Sequence, residues 1–130
     1  MAIFCLGLLL YFLLNSPQKN QEKLALKGKQ LFLEHCAHCH GEKGEGFKKL
    51  YPPLTDTTVL SISNIYCTIR FGKNGGTVIH GIEYLQPMPP MDYLENDEIV
   101  AIINFIYTEI NGLDKTIKLK DVNAVMNDCF

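Results

Sequence analysis

Cys36 and Cys39 stand three residues apart, with His40 directly behind them. A thiolate is a nucleophile and a soft metal ligand, and neutral imidazole is a nitrogen ligand. Residues of these types at this spacing suit three chemistries. Each thiol can add to one vinyl group of a haem, giving two thioethers that hold the adjacent imidazole beneath the iron. Cys36-Ala37-His38-Cys39-His40 is the attachment pattern of haem c. The same residues could bind zinc, with His38 or His80 as a fourth ligand. They could also form a thioredoxin-like redox pair. A closed zinc site usually brings a second paired cluster, and the sequence offers none. A thioredoxin-like pair expects a strand before the motif, where this chain has a helical pattern. One covalent haem c is the expectation carried forward.

The motif must be positioned by its neighbours. From Glu22 to about Cys36, the residues Leu24, Gly28, Leu31, Phe32 and His35 recur at spacings of three and four, which predicts a helix. Three glycines between Gly41 and Gly46 predict a loop. Tyr51-Pro52-Pro53-Leu54 is unsuited to a helix interior, because each proline removes a donor and restricts the residue before it. Asp56 or Thr57 is placed to cap a short helix through Leu60, and Asn64 to Phe71 suits another, with Ile65, Ile69 and Cys67 turned inward. Gly72 and Gly75-Gly76 end that helix. Gly81 to Asp92 reads as a proline-rich loop carrying Met88 and Met91. In the last helix Asn96 is the expected N-cap, with Asp97 and Glu98 where the helix dipole favours negative charge. Ile99, Ile102, Ile103, Ile106 and Ile110 form one apolar stripe, and Gly112 follows as a left-handed cap. The fold class is all-α, with long loops that wrap something.

The chain has 130 residues, 47% of them apolar, and a formal net charge of -2. That charge excludes a nucleic-acid binder, which needs a basic excess to neutralise phosphates. A core of this size is marginal without a staple, which a tethered haem would supply. Ala2 to Leu14 is continuously apolar. As a helix it would reach about 20 Å, short of the roughly 30 Å hydrocarbon core. Residues 1–15 are therefore a signal segment or a short anchor. With no basic residue before the run and a poor cleavage match at Asn15-Ser16-Pro17, an uncleaved anchor is favoured. Cys5 is then an apolar thiol in that segment. Residues 16–23 read as a polar linker. Haem c attachment and persistent disulfides both belong outside the cytoplasm.

Read together, Gly28, Phe32, Cys36, Cys39 and His40 resemble class I cytochrome c over about residues 24 to 111. The resemblance implies that fold around one haem, three to five short helices in a domain of residues 24–112, and a tail of residues 113–130. It implies that Gly28 lets the first helix cross the last closely, with Phe32 packed beside the crossing and Phe105 or Ile106 as the partner. It implies thioethers at Cys36 and Cys39 and axial ligation by His40 and Met88, with Met91 filling the core. It also implies that the Pro52 carbonyl orients His40 and that Leu54 lies against the haem. His80 is read as a loop histidine and not a ligand, and His35 as a surface residue of the first helix. A narrower resemblance, to small bacterial cytochromes of this type, implies a Cys67–Cys129 disulfide pinning the tail. The implied function is single-electron transfer, without enzymatic chemistry, between respiratory or dehydrogenase partners. The implied place is the periplasmic side of a bacterial inner membrane. The same domain would also serve as a fixed subunit of a larger redox complex, and Lys43, Lys48 and Lys49 could face an acidic partner. An open-iron sensor or peroxidase would need Met88 off the iron.

Overall fold

The structure is a computed structural model that describes residues 17–56, 58 and 60–129, together with Gly7 and Tyr11. The expected anchor over 1–15, Cys5 and the cap Thr57 lie outside the described residues, save Gly7 and Tyr11. Among the described residues no helix is long and apolar enough to cross a membrane.

Helix α1, Pro17–His35, has 19 residues and is not short. Most of 16–23, expected as a linker, forms its first turns. Residues 19–23 are exposed, so they carry no apolar periodicity and look like linker in sequence. Proline is well suited to a first helical position, where its missing donor is not needed. Burial begins at Leu24 and is complete at Gly28 and Phe32.

Helix α4, Asn96–Phe105, crosses α1 at Gly28. A Cβ at Gly28 would run into the Ala101 carbonyl and come within 3.1 Å of Phe105 Cβ. The crossing partner is thus the Ala101 backbone together with Phe105, and Ile106 is turned to the cavity described below. The Phe32 ring sits 5.0 Å from that of Phe105. The N-cap of α4 is Glu95 and not Asn96: Glu95 and Glu98 form a capping box. Asn96 is drawn inward instead, where its Oδ1 accepts from the Tyr66 hydroxyl at 3.1 Å and from Arg70 at 2.7 Å. Beyond Phe105 the helix widens into a π-turn, Ile106–Ile110. Gly112 then takes a left-handed φ of 60° as expected.

Helix α2, Ala37–His40, is a single turn after α1. Helix α3, Ile62–Phe71, starts two residues before the expected Asn64, because the Ser61 hydroxyl accepts from the Asn64 N–H at 3.1 Å. The short helix expected from Asp56 or Thr57 through Leu60 runs over Thr57 and Val59, which lie outside the described residues. The Asp56 carboxylate accepts from the Thr58 N–H at 3.0 Å, the bond by which an aspartate caps a helical turn.

One hairpin lies where loop was expected. Strands β1, Thr77–Ile79, and β2, Ile82–Tyr84, pair antiparallel with Thr77 opposite Tyr84. Its turn is His80-Gly81, with φ of 49° and 77°, the two positive values that a type I′ turn needs.

The tail forms helix α5, Leu119–Val125, and a tight turn over Met126–Cys129. It folds back on α3 and α4. Cys67 and Cys129 are disulfide-bonded. The buried Asn104 amide grips the tail both ways, donating to the Ile117 carbonyl at 3.0 Å and accepting from its N–H at 2.7 Å. The architecture is therefore mostly helical, with long connections and one small hairpin.

Candidate functional site

The turn after α1 inherits its direction from that helix: the Cys36 N–H donates to Phe32 and the His40 N–H to Cys36. Cys36 is buried and Cys39 half-buried, and both are free thiols. They line an apolar cavity of about 280 Å³. Burial, with a smaller push from Cys39, raises the Cys36 pKa to about 12. An attacking redox thiol needs the opposite shift, so this is a poor thioredoxin-like pair. A helix precedes it besides. Nor does a zinc set converge: among the described residues no group of three or more His, Cys, Asp and Glu is placed to hold a metal ion.

His40 is 8% exposed and lines the same cavity. Its Nδ1 lies 2.9 Å from the Pro52 carbonyl. A carbonyl can only accept, so Nδ1 carries the proton and Nε2 keeps the lone pair a metal would use. Burial lowers the His40 pKa, against the opposing pull of the Pro52 bond. Burial, the larger effect, favours the neutral imidazole, and the Pro52 bond fixes its tautomer. The Pro52 segment is itself held firmly. Leu54 N–H donates to Gly44 at 2.7 Å, and the Asn111 amide donates to the Leu54 carbonyl at 2.9 Å and to Ile106 at 2.8 Å.

A second wall comes from far along the chain. Met88 is half-buried and lines the cavity. Its backbone pairs with Lys73 in both directions, at 2.8 and 2.9 Å. Met91 lines the cavity too, but it is 7% exposed and belongs to the hydrophobic core. Its N–H donates to Ile69 at 2.8 Å. Two thiols, a neutral imidazole and a thioether around one apolar space are a donor set that fits haem c.

The remaining predicted residues fall into groups. Pro52 and Leu54 line the cavity, whereas Gly28 and Phe32 support it from the helix crossing. Cys67 and Cys129 are off the cavity lining. His38 is exposed. His80 is exposed in the hairpin turn, and it pairs with Asp56 and Thr58. His35, expected at the surface, is half-buried at the cavity, with its Nδ1 3.3 Å from the Tyr93 hydroxyl. It is the last residue of α1, so the adjoining motif draws it in. Lys43, Lys48 and Lys49 are exposed.

Sequence reasoning missed Tyr84, Leu60 and Asn111. Tyr84 is buried against the cavity through the hairpin, whose signal was Gly75-Gly76 before Thr77 and Gly81 after His80. Leu60 and Asn111 carried no signal, since each acts through partners distant in sequence.

The Cytochrome c family profile matches residues 25–108. The chain is 34% identical over 102 residues to the cbb3-type cytochrome c oxidase subunit FixP of Bradyrhizobium diazoefficiens, covering 74% of this chain and 34% of that protein. It is 38% identical over 69 residues to the corresponding subunit CcoP of Rhodobacter capsulatus, covering 50% of this chain and 23% of that one. It is 27% identical to cytochrome c-552 of Thermus thermophilus over 95 residues, covering 68% of this chain and 72% of the relative. The chain spans about a third or less of the oxidase subunits it matches. Among solved structures, the c-type cytochrome XoxG of Methylobacterium extorquens superposes with a TM-score of 0.52 at 19% identity, over 82% of this chain and 67% of that one, which is a likeness of fold. With the profile covering more than half of its residues, and with its helices and loops arranged as in that fold, the chain belongs to the cytochrome c family as a class I member.

Proposed function

We propose that this chain is a single-electron carrier holding one haem c, with thioethers at Cys36 and Cys39 and axial ligands His40 and Met88. The observation that carries this reading is that these four side chains line one apolar cavity, although Met88 comes from a distant loop. Haem c supplies an iron that gains and loses one electron. The chain's own residues do the rest. Pro52 fixes the tautomer and orientation of His40, and the apolar lining keeps water from the centre. With both axial positions taken, no substrate reaches the iron, so the protein carries electrons and is not an enzyme in its own right.

The proposed partners are redox proteins at the membrane. The proposed place is the periplasmic side of a bacterial inner membrane, with residues 1–15 as anchor or as a cleaved export signal. A domain of residues 24–112 carries the haem, and residues 113–130 brace it. A second reading, a fixed subunit of a larger redox complex, is favoured by the oxidase-subunit names of the relatives FixP and CcoP.

The test is the full chain produced where c-type haem is matured. Expected are an intact mass of polypeptide plus one haem after denaturation, a low-spin ferric spectrum, a one-electron redox titration, and no carbon monoxide binding by the ferrous protein at neutral pH. Ready carbon monoxide binding would overturn the closed-iron reading. Purification in mild detergent separates carrier from subunit: a lone cytochrome argues against the complex.

A further inference from the structure

We propose that Gly72 is a positioning residue for Met88, setting from the end of α3 where the thioether stands in the cavity. This rests on the reading of Met88 as an axial ligand. The segment Gly72 to Gly76 is a backstop for the Met88 loop. Lys73 and Met88 exchange two backbone hydrogen bonds, at 2.9 and 2.8 Å. This is an isolated two-residue bridge outside any strand. Directly beside it, Gly72 closes α3 with φ of 73°. A Cβ there would stand 2.6 Å from the Met88 carbonyl oxygen and 2.8 Å from the Pro90 nitrogen. Both are backbone atoms of the loop and cannot swing away as a flexible side chain would. Pro87, Pro89 and Pro90 stiffen the same loop by fixing φ. A push at the Met88 carbonyl therefore moves the whole loop.

The bridge also explains how a loop without regular structure holds a ligand. Met91, three residues on, is tied to Ile69 of α3. The Met88 loop is thus tied to α3 at Ile69, through Met91, and to the residue just past the α3 cap, Lys73, through Met88 itself. The contact that fixes how closely the loop approaches α3 is the one a side chain at position 72 would fill.

The molecule supplies its own control. Gly81 also takes a positive φ, 77°, and a Cβ there meets nothing within 4 Å. It lies outside the cavity lining. Both variants put an L-residue at positive φ, but Gly72, with ψ of -176°, lies in a region almost reserved for glycine, so Gly72→Ala carries the greater backbone strain. Only Gly72→Ala pushes on the Met88 loop.

The experiment compares both variants with the wild-type ferric holoprotein, using imidazole as the probe of how readily the axial thioether is displaced. Gly72→Ala should keep one covalent haem by mass and bind imidazole on the order of tenfold or more tightly, which is about 1.4 kcal/mol or more. The ferric charge-transfer band of methionine ligation should weaken in parallel. Gly81→Ala should lose less thermal stability than Gly72→Ala and leave both readouts at the wild-type value. Equal imidazole affinity in the two variants would overturn the proposal. Met88→Ala separates the failures. If it leaves the spectrum unchanged, the ligand reading falls. If it abolishes the band while Gly72→Ala matches Gly81→Ala, only the role of Gly72 falls. Should Gly72→Ala not fold, hydrogen exchange of the wild type decides. The Lys73 and Met88 amides should lose protection together when imidazole binds, and retained protection would overturn the proposal.

Discussion

On one wall of the cavity Cys36, Cys39 and His40 share one turn of the chain, whereas on the other Met88 reaches the same cavity from a distant loop held by Lys73 and, through Met91, by Ile69. On the first wall, Cys36 leans on Phe32 and His40 on Pro52. On the second, Met88 leans on Lys73, Met91 on Ile69, and α3 itself is tied to the tail by a disulfide spanning 62 positions. The difference teaches that the two walls are separable. Attachment is a property of local spacing, and axial ligation by Met88 is a property of the assembled fold. Each can therefore be broken while the other stands.

The largest effects test that separation. Cys36→Ser with Cys39→Ser should abolish covalent haem outright, leaving the bare polypeptide mass after denaturation. Met88→Ala should keep the covalent haem in full, turn the ferric iron from low to high spin, and open the ferrous iron to carbon monoxide. A Met88→Ala protein that remains low-spin would mean that another group reaches the iron, with Met91 the nearest candidate in sequence, and the two walls would not be separable in this way.

Next in size is the tail. Cys67→Ser with Cys129→Ser removes a cross-link whose loop is long enough to contribute about 4 kcal/mol in the chain-entropy account, within a usual range of roughly 2–4 kcal/mol. Denaturant unfolding of the holoprotein should show a loss of that order. The comparison sharpens further if imidazole affinity rises in the same variant. The disulfide braces α3, and α3 braces Met88, so the effect should fall on the second wall and spare the thioethers.

The first wall was largely legible in sequence because its logic is local. Gly28, Phe32, Cys36, Cys39, His40 and Pro52 announce themselves by type and spacing, and the structure brings them together or stacks them in support. The second wall was legible only at Met88 and Met91. The hairpin went unread because His80-Gly81 lacks the Asn-Gly or Asp-Gly signature of a type I′ turn. The α4 cap was misassigned because Asn96 is the better intrinsic cap, but Tyr66 and Arg70 claim its side chain from α3. The start of α1 was set too late because solvated turns carry no apolar period. In each case a contact distant in sequence, or an absence of burial, decided what local preference could not.

The crossing behind the first wall gives two smaller tests. Gly28→Ala puts a methyl against the Ala101 carbonyl. Overpacking of this kind costs about 1–3 kcal/mol. Thermal unfolding should register that loss, while the methionine charge-transfer band stays at its wild-type intensity. Loss of the band would show that the crossing also positions Met88, against the separation of the walls.

The smallest effect is the ion pair beside that crossing. Lys27 Nζ lies 2.8 Å from Asp97 Oδ2, and both side chains are substantially exposed. The Lys27 hydrogen bond lowers the Asp97 pKa below its ordinary 3.8, against an opposing desolvation. A carboxylate lowered on folding contributes stability above its unfolded value and loses it as pH falls through the lowered folded value. Lys27→Met keeps the aliphatic stem and removes the charge. The stability gap between wild type and variant should therefore be level from about pH 5 to 8 and close below the ordinary Asp range. Its size should be about 0.2–1 kcal/mol, because the pair is exposed, and it should shrink in high salt. The Gly28→Ala loss should persist unchanged in salt, since it comes from van der Waals contact. A crossing whose two perturbations respond alike to salt would be held by charge and not by the close backbone approach that Gly28 permits.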